Sequence, residues 1–291
     1  MELRLLATFE KVAEVLSFTR AAAELGYAQS SVTSQVKALE TALGTELFER
    51  LGGRIRLTEA GERLLPYARR MAELAEEARA AVAAGEPAGT ITIGTMESLT
   101  TYRLPPLLEY VHHRHPAVRL ALRPTLGGEA TRQALRQGTY DLGFLMEAGT
   151  DHEGLESEVL APEPLTLVAA PGHPLAARTD LTTTDLTTTG LIGTEPGCPY
   201  RDLFEAELAG SGADFLEFGT IEASKRAVAS GLGIALLPRI TVQEELASGE
   251  LVALDWEAPF TLFTQLAWRR GKRLPAHVRL FVEQARRLAR E

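Results

Sequence analysis

Apolar residues Leu5, Leu6, Phe9, Val12, Ala13 and Leu16 recur at helical spacing, so the chain opens on a predicted amphipathic helix. Ser17 follows as an N-cap for a short helix through Ala21, Ala22 and Leu25, which Gly26 ends where a left-handed residue is favoured. A third helix is predicted with Val32, Val36, Leu39 and Leu43 on one stripe. At about 100° per residue, Ser30, Ser34, Lys37 and Thr41 fall on the opposite face, flanked by Thr33. That outward face is short, rich in hydroxyls and carries one cation, so it can approach a base edge or a phosphate closely. Gly52-Gly53 then separates two alternating runs, a hairpin signal. The alternation sets Ile55 and Leu57 against Arg54 and Arg56, which reads as a basic wing beside a polar helix. Either arginine alone would be an ordinary solvated group. The order of helix, short helix, turn, polar helix and wing is what points to DNA.

From Thr58, an N-cap with Glu59 and Glu62 behind it, a longer helix is predicted. Leu64, Ala68, Met71, Ala75, Ala78 and Val82 alternate spacings of four and three, the 3.5-residue period of a coiled-coil seam. The seam predicts pairing with a second copy, and Pro66 predicts a bend or break near the helix start. Gly85-Glu86-Pro87-Ala88-Gly89 ends the helix. Beyond it strands alternate with helices. Strands are predicted over 90–93, 118–123 and 141–146, with helices over 104–115 and 130–137 between them. That order argues for a parallel, helix-covered sheet. Residues 165–170, 191–192, 215–218 and 234–237 form a second series, Pro162 and Pro164 mark the crossing, and 263–268 carries the chain back before a last helix from Pro275.

Composition narrows the class. With 291 residues, 45% of them hydrophobic, the chain can hold a small module and one or two medium domains. The opening segment lacks a basic leader and no run is long enough to span a bilayer, so a cytoplasmic location without membrane contact is expected. The single cysteine, Cys198, excludes an intrachain disulfide framework. Net charge is −9, so any DNA contact must rest on where the cations sit rather than on their number.

The run SFTRAAAELGYAQSSVTSQVKALETALGTELFERLGGRIRLTEAG resembles the N-terminal domain of the LysR-type transcriptional regulators. Ser17-Phe18-Thr19, Ala21-Ala22, the Gln29 to Leu39 helix, Leu43-Gly44, Leu47-Phe48, Arg50 and Leu57-Thr58 with Ala60-Gly61 carry the likeness. It implies that Gln29, Ser30, Ser31, Thr33, Ser34 and Lys37 face the major groove while Arg50 and Arg54 anchor the wing. The chain departs from the family at Ser30, Ser34 and Gly53, where proline, arginine and a basic residue are common. Further on, Asp141-Leu142-Gly143, Gly172-His173-Pro174-Leu175 and Gly231 to Pro238 are similar to the family's effector domain. The implied architecture is α/β: a winged helix-turn-helix over 1–58, a dimerisation helix over 59–86, and a two-lobed, periplasmic-binding-protein-like effector domain over 89–291. Lobe I is expected over 89–161 and 268–291, lobe II over 162–267.

The resemblance implies a homodimer or homotetramer, an operator with dyad character, RNA polymerase as a further partner, and a small-molecule effector between the lobes. Ser98, Leu99, Thr100 and Thr101, at a helix start past the first strand, would suit an anionic group. Carried over by position, Gly127, Gly197, Cys198, Tyr200, Arg201, Gly219 and Thr220 form the rest of the wall. A peroxide-sensing branch of the family has a cysteine in this region, which opens a thiol-switched alternative. Arg201 and a nearby helix start would lower the Cys198 pKa, but the chain has no second cysteine to resolve a sulfenic acid. An enzyme or a solute-binding protein would leave the winged helix idle. His112, His113 and His115 crowd a helix end without a completing ligand, and no hydrolase or phosphate-loop motif is present, so neither metal, cofactor nor catalysis is expected.

Overall fold

The structure, a computed structural model, describes residues 2–51, 54–82, 87–125, 127–210 and 214–289. Among these, the side chains of 50, 51, 54, 73, 76, 77 and 79–82 are not described, so the predicted Gly52-Gly53 turn, the Arg50 and Arg54 side chains, Val82 and the stop at Gly85-Glu86 lie outside the described residues. The chain divides into two compact units, Met1–Gly85 with Gln137–Thr139, and Glu86–Arg136 with Tyr140–Glu291.

In the first unit α1 (Leu3–Val15), α2 (Phe18–Leu25) and α3 (Gln29–Leu43) precede an antiparallel hairpin of β1 (Phe48–Leu51) and β2 (Arg54–Leu57), and α4 (Glu59–Val82) follows. The Ser17 hydroxyl accepts the Arg20 N–H as the predicted cap, and Gly26 takes φ +70° to end α2. Leu6, Phe9, Leu39, Leu47 and Ala68 form one core, and Val12, Ala21, Ala22, Val32 and Val36 another. Phe48 joins the two, with its ring 5.4 Å from Phe9 and 5.7 Å from Phe18. The hairpin is tied to α3 through the Glu40 carboxylate, which accepts the Leu47 and Phe48 N–H groups at 2.9 and 3.4 Å. Leu43, predicted on the buried stripe, is 40% exposed, because α3 ends at Gly44 before another element covers it.

The α4 helix is continuous through Pro66, where a bend or break was expected. Pro66 lies in the second turn, so it removes only one internal hydrogen bond near an end. Thr58 caps the helix, accepting the Gly61 N–H at 3.1 Å. Gly61 is buried against the hairpin. A Cβ there would meet the Leu47 carbonyl at 2.3 Å, so a small residue sets the approach of α4.

The second unit holds two five-stranded sheets. One has the order β4-β3-β5-β12-β6, built from β3 (Gly89–Thr95), β4 (Val118–Pro124), β5 (Leu142–Glu147), β6 (Leu155–Glu163) and β12 (Leu262–Arg269). The other has the order β11-β7-β10-β8-β9, built from β7 (Leu165–Ala169), β8 (Leu191–Gly193), β9 (Phe215–Glu217), β10 (Ile234–Pro238) and β11 (Val252–Ala253). Both are mixed rather than parallel throughout. The βαβ runs pair parallel as predicted, while β12 and β6, and β7 and β11, add antiparallel partners. The missed strand β6 also moves the lobe boundary. Pro162 sits inside β6 opposite Phe263, so the crossing is at Pro164, and the whole return strand from Leu262 belongs to the first sheet rather than only 268 onward.

The helices α5 (Pro105–Arg114), α6 (Gly128–Arg136) and α11 (Ala276–Leu288) accompany the first sheet. The second carries α7 (Thr183–Leu186), α8 (Pro199–Glu207), α9 (Ile221–Ala229) and α10 (Gln243–Ser248). A buried cluster from Ile91, Ile93 and Phe144 to Val168, Ile192 and Leu237 runs through both lobes. Phe9→Ala is expected to lower the stability of the first unit by about 3–5 kcal/mol, since it empties a fully buried site and removes the Phe48 ring contact. The change is read from the urea midpoint, and a loss below about 1 kcal/mol would show that the two cores are not joined through these rings.

Candidate nucleic-acid interface and ligand crevice

Gln29, Ser30, Ser31, Ser34 and Lys37 are exposed along α3, while Val32, Val36 and Leu39 are buried beneath them. Thr33 is half-buried and engaged locally. Its hydroxyl donates to the Gln29 carbonyl at 3.0 Å and accepts from the Gln29 side-chain amide at 3.4 Å. The serine hydroxyls and Lys37 therefore make up the outward surface, with Arg56 exposed on β2. No metal-type grouping of three or more His, Cys, Asp or Glu side chains occurs among the described residues. His112 and His113 stack edge to face at 5.1 Å, and no described helix is long and apolar enough to cross a membrane.

On α4 the predicted seam is split. Ala68 is fully buried and Leu64 half-buried in the unit's own core. The exposed apolar stripe is instead Tyr67, Met71, Leu74 and Ala78, with Tyr67 59%, Met71 38% and Leu74 64% exposed. Its spacings of four, three and four keep the 3.5-residue period but shift the frame, sharing only Met71 and Ala78 with the expected seam.

In the second unit the strand ends of both lobes face one another. Past β3 the chain makes a π-helical turn, Leu99–Arg103, where a plain helix start was expected. Such turns recur at functional sites because they re-aim side chains. Ser98 and Leu99 are buried, and Leu99 belongs to the core. The Thr100 hydroxyl donates to the Met96 carbonyl at 3.1 Å, and Thr101 is exposed. Opposite, Gly219 and Thr220 are exposed, and the Thr220 hydroxyl caps α9 by accepting the Ala223 N–H at 3.1 Å. Gly127 and Gly197 meet directly. A Cβ on Gly127 would lie 2.5 Å from the Gly197 carbonyl oxygen.

Cys198 and Tyr200 are buried in the core rather than open to the crevice. Burial pushes the Cys198 thiol up to about 11 and the Tyr200 phenol well above its ordinary value. Burial outweighs the lowering that the Arg201 backbone N–H contributes, and the Arg201 guanidinium is turned elsewhere. Its Nε donates to Glu205 at 2.8 Å, it also bonds the Thr194 carbonyl, and Glu217 lies at 3.3 Å. Just before α8, Asp202 accepts the Gly197 N–H at 3.1 Å.

Sequence reasoning missed the group that joins the lobes here. The Glu97 carboxylate accepts the Ile221 N–H at 3.3 Å, and the Tyr102 hydroxyl donates to Glu222 at 2.5 Å. Lys225 Nζ lies 2.5 Å from Glu222, 2.6 Å from Glu245 and 3.3 Å from the Tyr102 oxygen, and it donates to the Thr241 carbonyl. Burial, helped by Glu222, pushes the Tyr102 phenol up to about 12. Burial opposes the Lys225 charge, yet the facing carboxylates hold its ammonium above the usual range. Only the Glu222–Lys225 spacing was visible as a helix pair. The contacts to Tyr102 span more than a hundred residues, beyond any local pattern.

Comparison with known proteins bears on the family and the fold. Residues 3–62 match the model described as "Bacterial regulatory helix-turn-helix protein, lysR family", and residues 84–290 match the LysR substrate binding domain. The chain is 42% identical over 290 residues to the HTH-type transcriptional regulator YwqM of Bacillus subtilis, covering 99% of each chain. It is 34% identical over 280 residues to the RuBisCO operon transcriptional regulator of Allochromatium vinosum, covering 94% and 92%. Among solved structures, full-length OxyR from Pseudomonas aeruginosa matches with a TM-score of 0.81 at 25% identity, covering 100% of this chain and 95% of that one. The raised thiol predicts that, at pH 8, native Cys198 reacts with Ellman's reagent far more slowly than the urea-unfolded chain. A thiolate forms only as pH rises toward the folded value, so equal native and unfolded rates would overturn the buried placement.

Proposed function

Because the chain belongs to the LysR family of transcriptional regulators, we propose that it works in the cytoplasm as a homodimer or homotetramer whose hold on an operator is switched by a small molecule between the two lobes. The observation that carries the DNA half is the exposed face of α3, where Gln29, Ser30, Ser31, Ser34 and Lys37 stand over the buried Val32, Val36 and Leu39. Short hydroxyl side chains reach base edges, and Lys37 supplies a phosphate contact. Arg50 and Arg54 on the wing complete the grip by analogy with the family. Thr33 acts through Gln29, whose side chain it orients.

The Tyr67, Met71, Leu74 and Ala78 stripe supports pairing through α4 with a second copy, because it is apolar, keeps the coiled-coil period and is uncovered within its own unit. A two-fold dimer presents two recognition helices, hence a site with dyad character, and RNA polymerase is the partner to which a regulator at a promoter answers.

The effector reading rests on Thr101, Gly219 and Thr220, exposed groups at the strand ends of facing lobes. Arg201 is already committed to Glu205 and Glu217, so hydroxyls and backbone amides are the anchors for a polar or anionic effector. The thiol-switched alternative loses support, because a buried thiol held near 11 has little thiolate to react.

Lys37→Ala is expected to weaken operator binding across sequences and to flatten the slope of log K against log salt by about one unit. An unchanged slope would remove α3 from the phosphate contacts. Leu74→Asp leaves its own unit folded, since Leu74 is 64% exposed and lies outside that unit's core, but sets like charges against one another in the dimer. Sedimentation should show monomers with weakened DNA binding, and an unaltered oligomer would place the interface elsewhere. Thr101→Val is expected to abolish effector response while operator affinity holds. A normal response in a reporter assay would move the effector site.

A further inference from the structure

The π-helical turn is fixed to the first lobe by an ion pair with a buried carboxylate. Arg103 donates from Nε and from a terminal nitrogen to the two oxygens of Glu163, at 2.9 and 3.0 Å. Glu163 is buried at the end of β6, immediately before the crossing at Pro164, and also accepts the Thr264 hydroxyl at 2.8 Å. A bidentate pair of this kind fixes both position and orientation. Residues 97–103 are therefore a rigid post standing on lobe I.

Two side chains of that post reach across to α9 on lobe II. Glu97 closes on the Ile221 N–H, an amide of the first helical turn that has no partner within the helix. Tyr102 reaches Glu222 in the same turn, with Lys225 over its ring at 5.5 Å. On lobe II the receiving side is equally fixed, because Lys225 is held by Glu245 of α10 and the Thr241 carbonyl.

We propose that this segment is an inter-lobe latch: Glu97 and Tyr102 together grip the first turn of α9 and hold the lobes shut independently of any bound molecule. The latch is made entirely of this chain's own groups. Its part in the switch, as the contact an effector must release or reinforce, rests on the crevice reading above.

Hydrogen–deuterium exchange of the full-length protein with no ligand added tests the latch separately from that reading. In wild type the Ile221 amide is protected. Glu97→Gln removes the charge from its acceptor and is expected to speed Ile221 exchange by about tenfold or more, the range for hydrogen bonds to charged groups. The decisive variant is Tyr102→Phe, which touches neither Ile221 nor Glu97. If the two contacts act as one latch, it too speeds Ile221 exchange, and Glu222→Gln from the opposite lobe does the same. The Ala223 amide, bonded to Thr220 within α9, serves as the control and keeps its wild-type rate. Ile221 exchange unchanged in Tyr102→Phe and Glu222→Gln overturns the proposal, because the contacts would then be independent. Ala223 loosening as much as Ile221 overturns it as well, since the variants would be unravelling α9 instead of releasing it.

Discussion

A carboxylate enclosed in a protein interior must have its oxygens satisfied by donors held in place, and Glu163 imposes that demand at the most consequential point of the larger unit. It lies where the chain leaves the first sheet for the second. Arg103 and Thr264 answer it from two further elements of the same lobe, so one buried group fixes the end of β6, the return strand β12 and the π-helical turn against each other. The turn inherits its orientation from that pair. Everything it presents forward, from Glu97 to Tyr102, is aimed by an anchor outside the crevice.

The smaller unit shows a helix with two apolar faces, one buried in its own core and one exposed. One face of α4 contributes Leu64 and Ala68 to the packing around Phe9 and Leu47, and another shows Tyr67, Met71 and Leu74 outward. A single 3.5-residue rhythm runs through both, which is why the two faces are easily confused in the sequence. The frame is set by which residues the hairpin covers, and Gly61 decides that by letting α4 approach Leu47.

Local patterns were legible where local physics decides. The caps at Ser17 and Thr58, the stop at Gly26, the apolar side of α3 and the βαβ strands all follow from spacing and side-chain chemistry near in sequence. Three kinds of feature were not. Strand β6 alternates weakly, carries Pro162 and is followed at once by Pro164, so it read as a linker, and only its pairing with β12 makes it a strand. The Cys198 thiol shift was misjudged because its burial comes from core packing between distant elements, while Arg201 is drawn aside by Glu205 and Glu217. The contacts of Glu97 and Tyr102 are invisible to any window, since each gains its meaning from a helix more than a hundred residues away.

The approach of Gly127 to Gly197 has a consequence of a different kind. Facing lobes are usually kept apart by side chains, which can swing aside when a guest arrives. Here the bumpers are bare peptide units, with no rotamer to yield and no methyl to trim. The gauge of the crevice at that point is therefore written in main chain. A guest must fit the clearance as it stands or move a whole lobe, and any side chain at Gly127 would press on the Gly197 carbonyl.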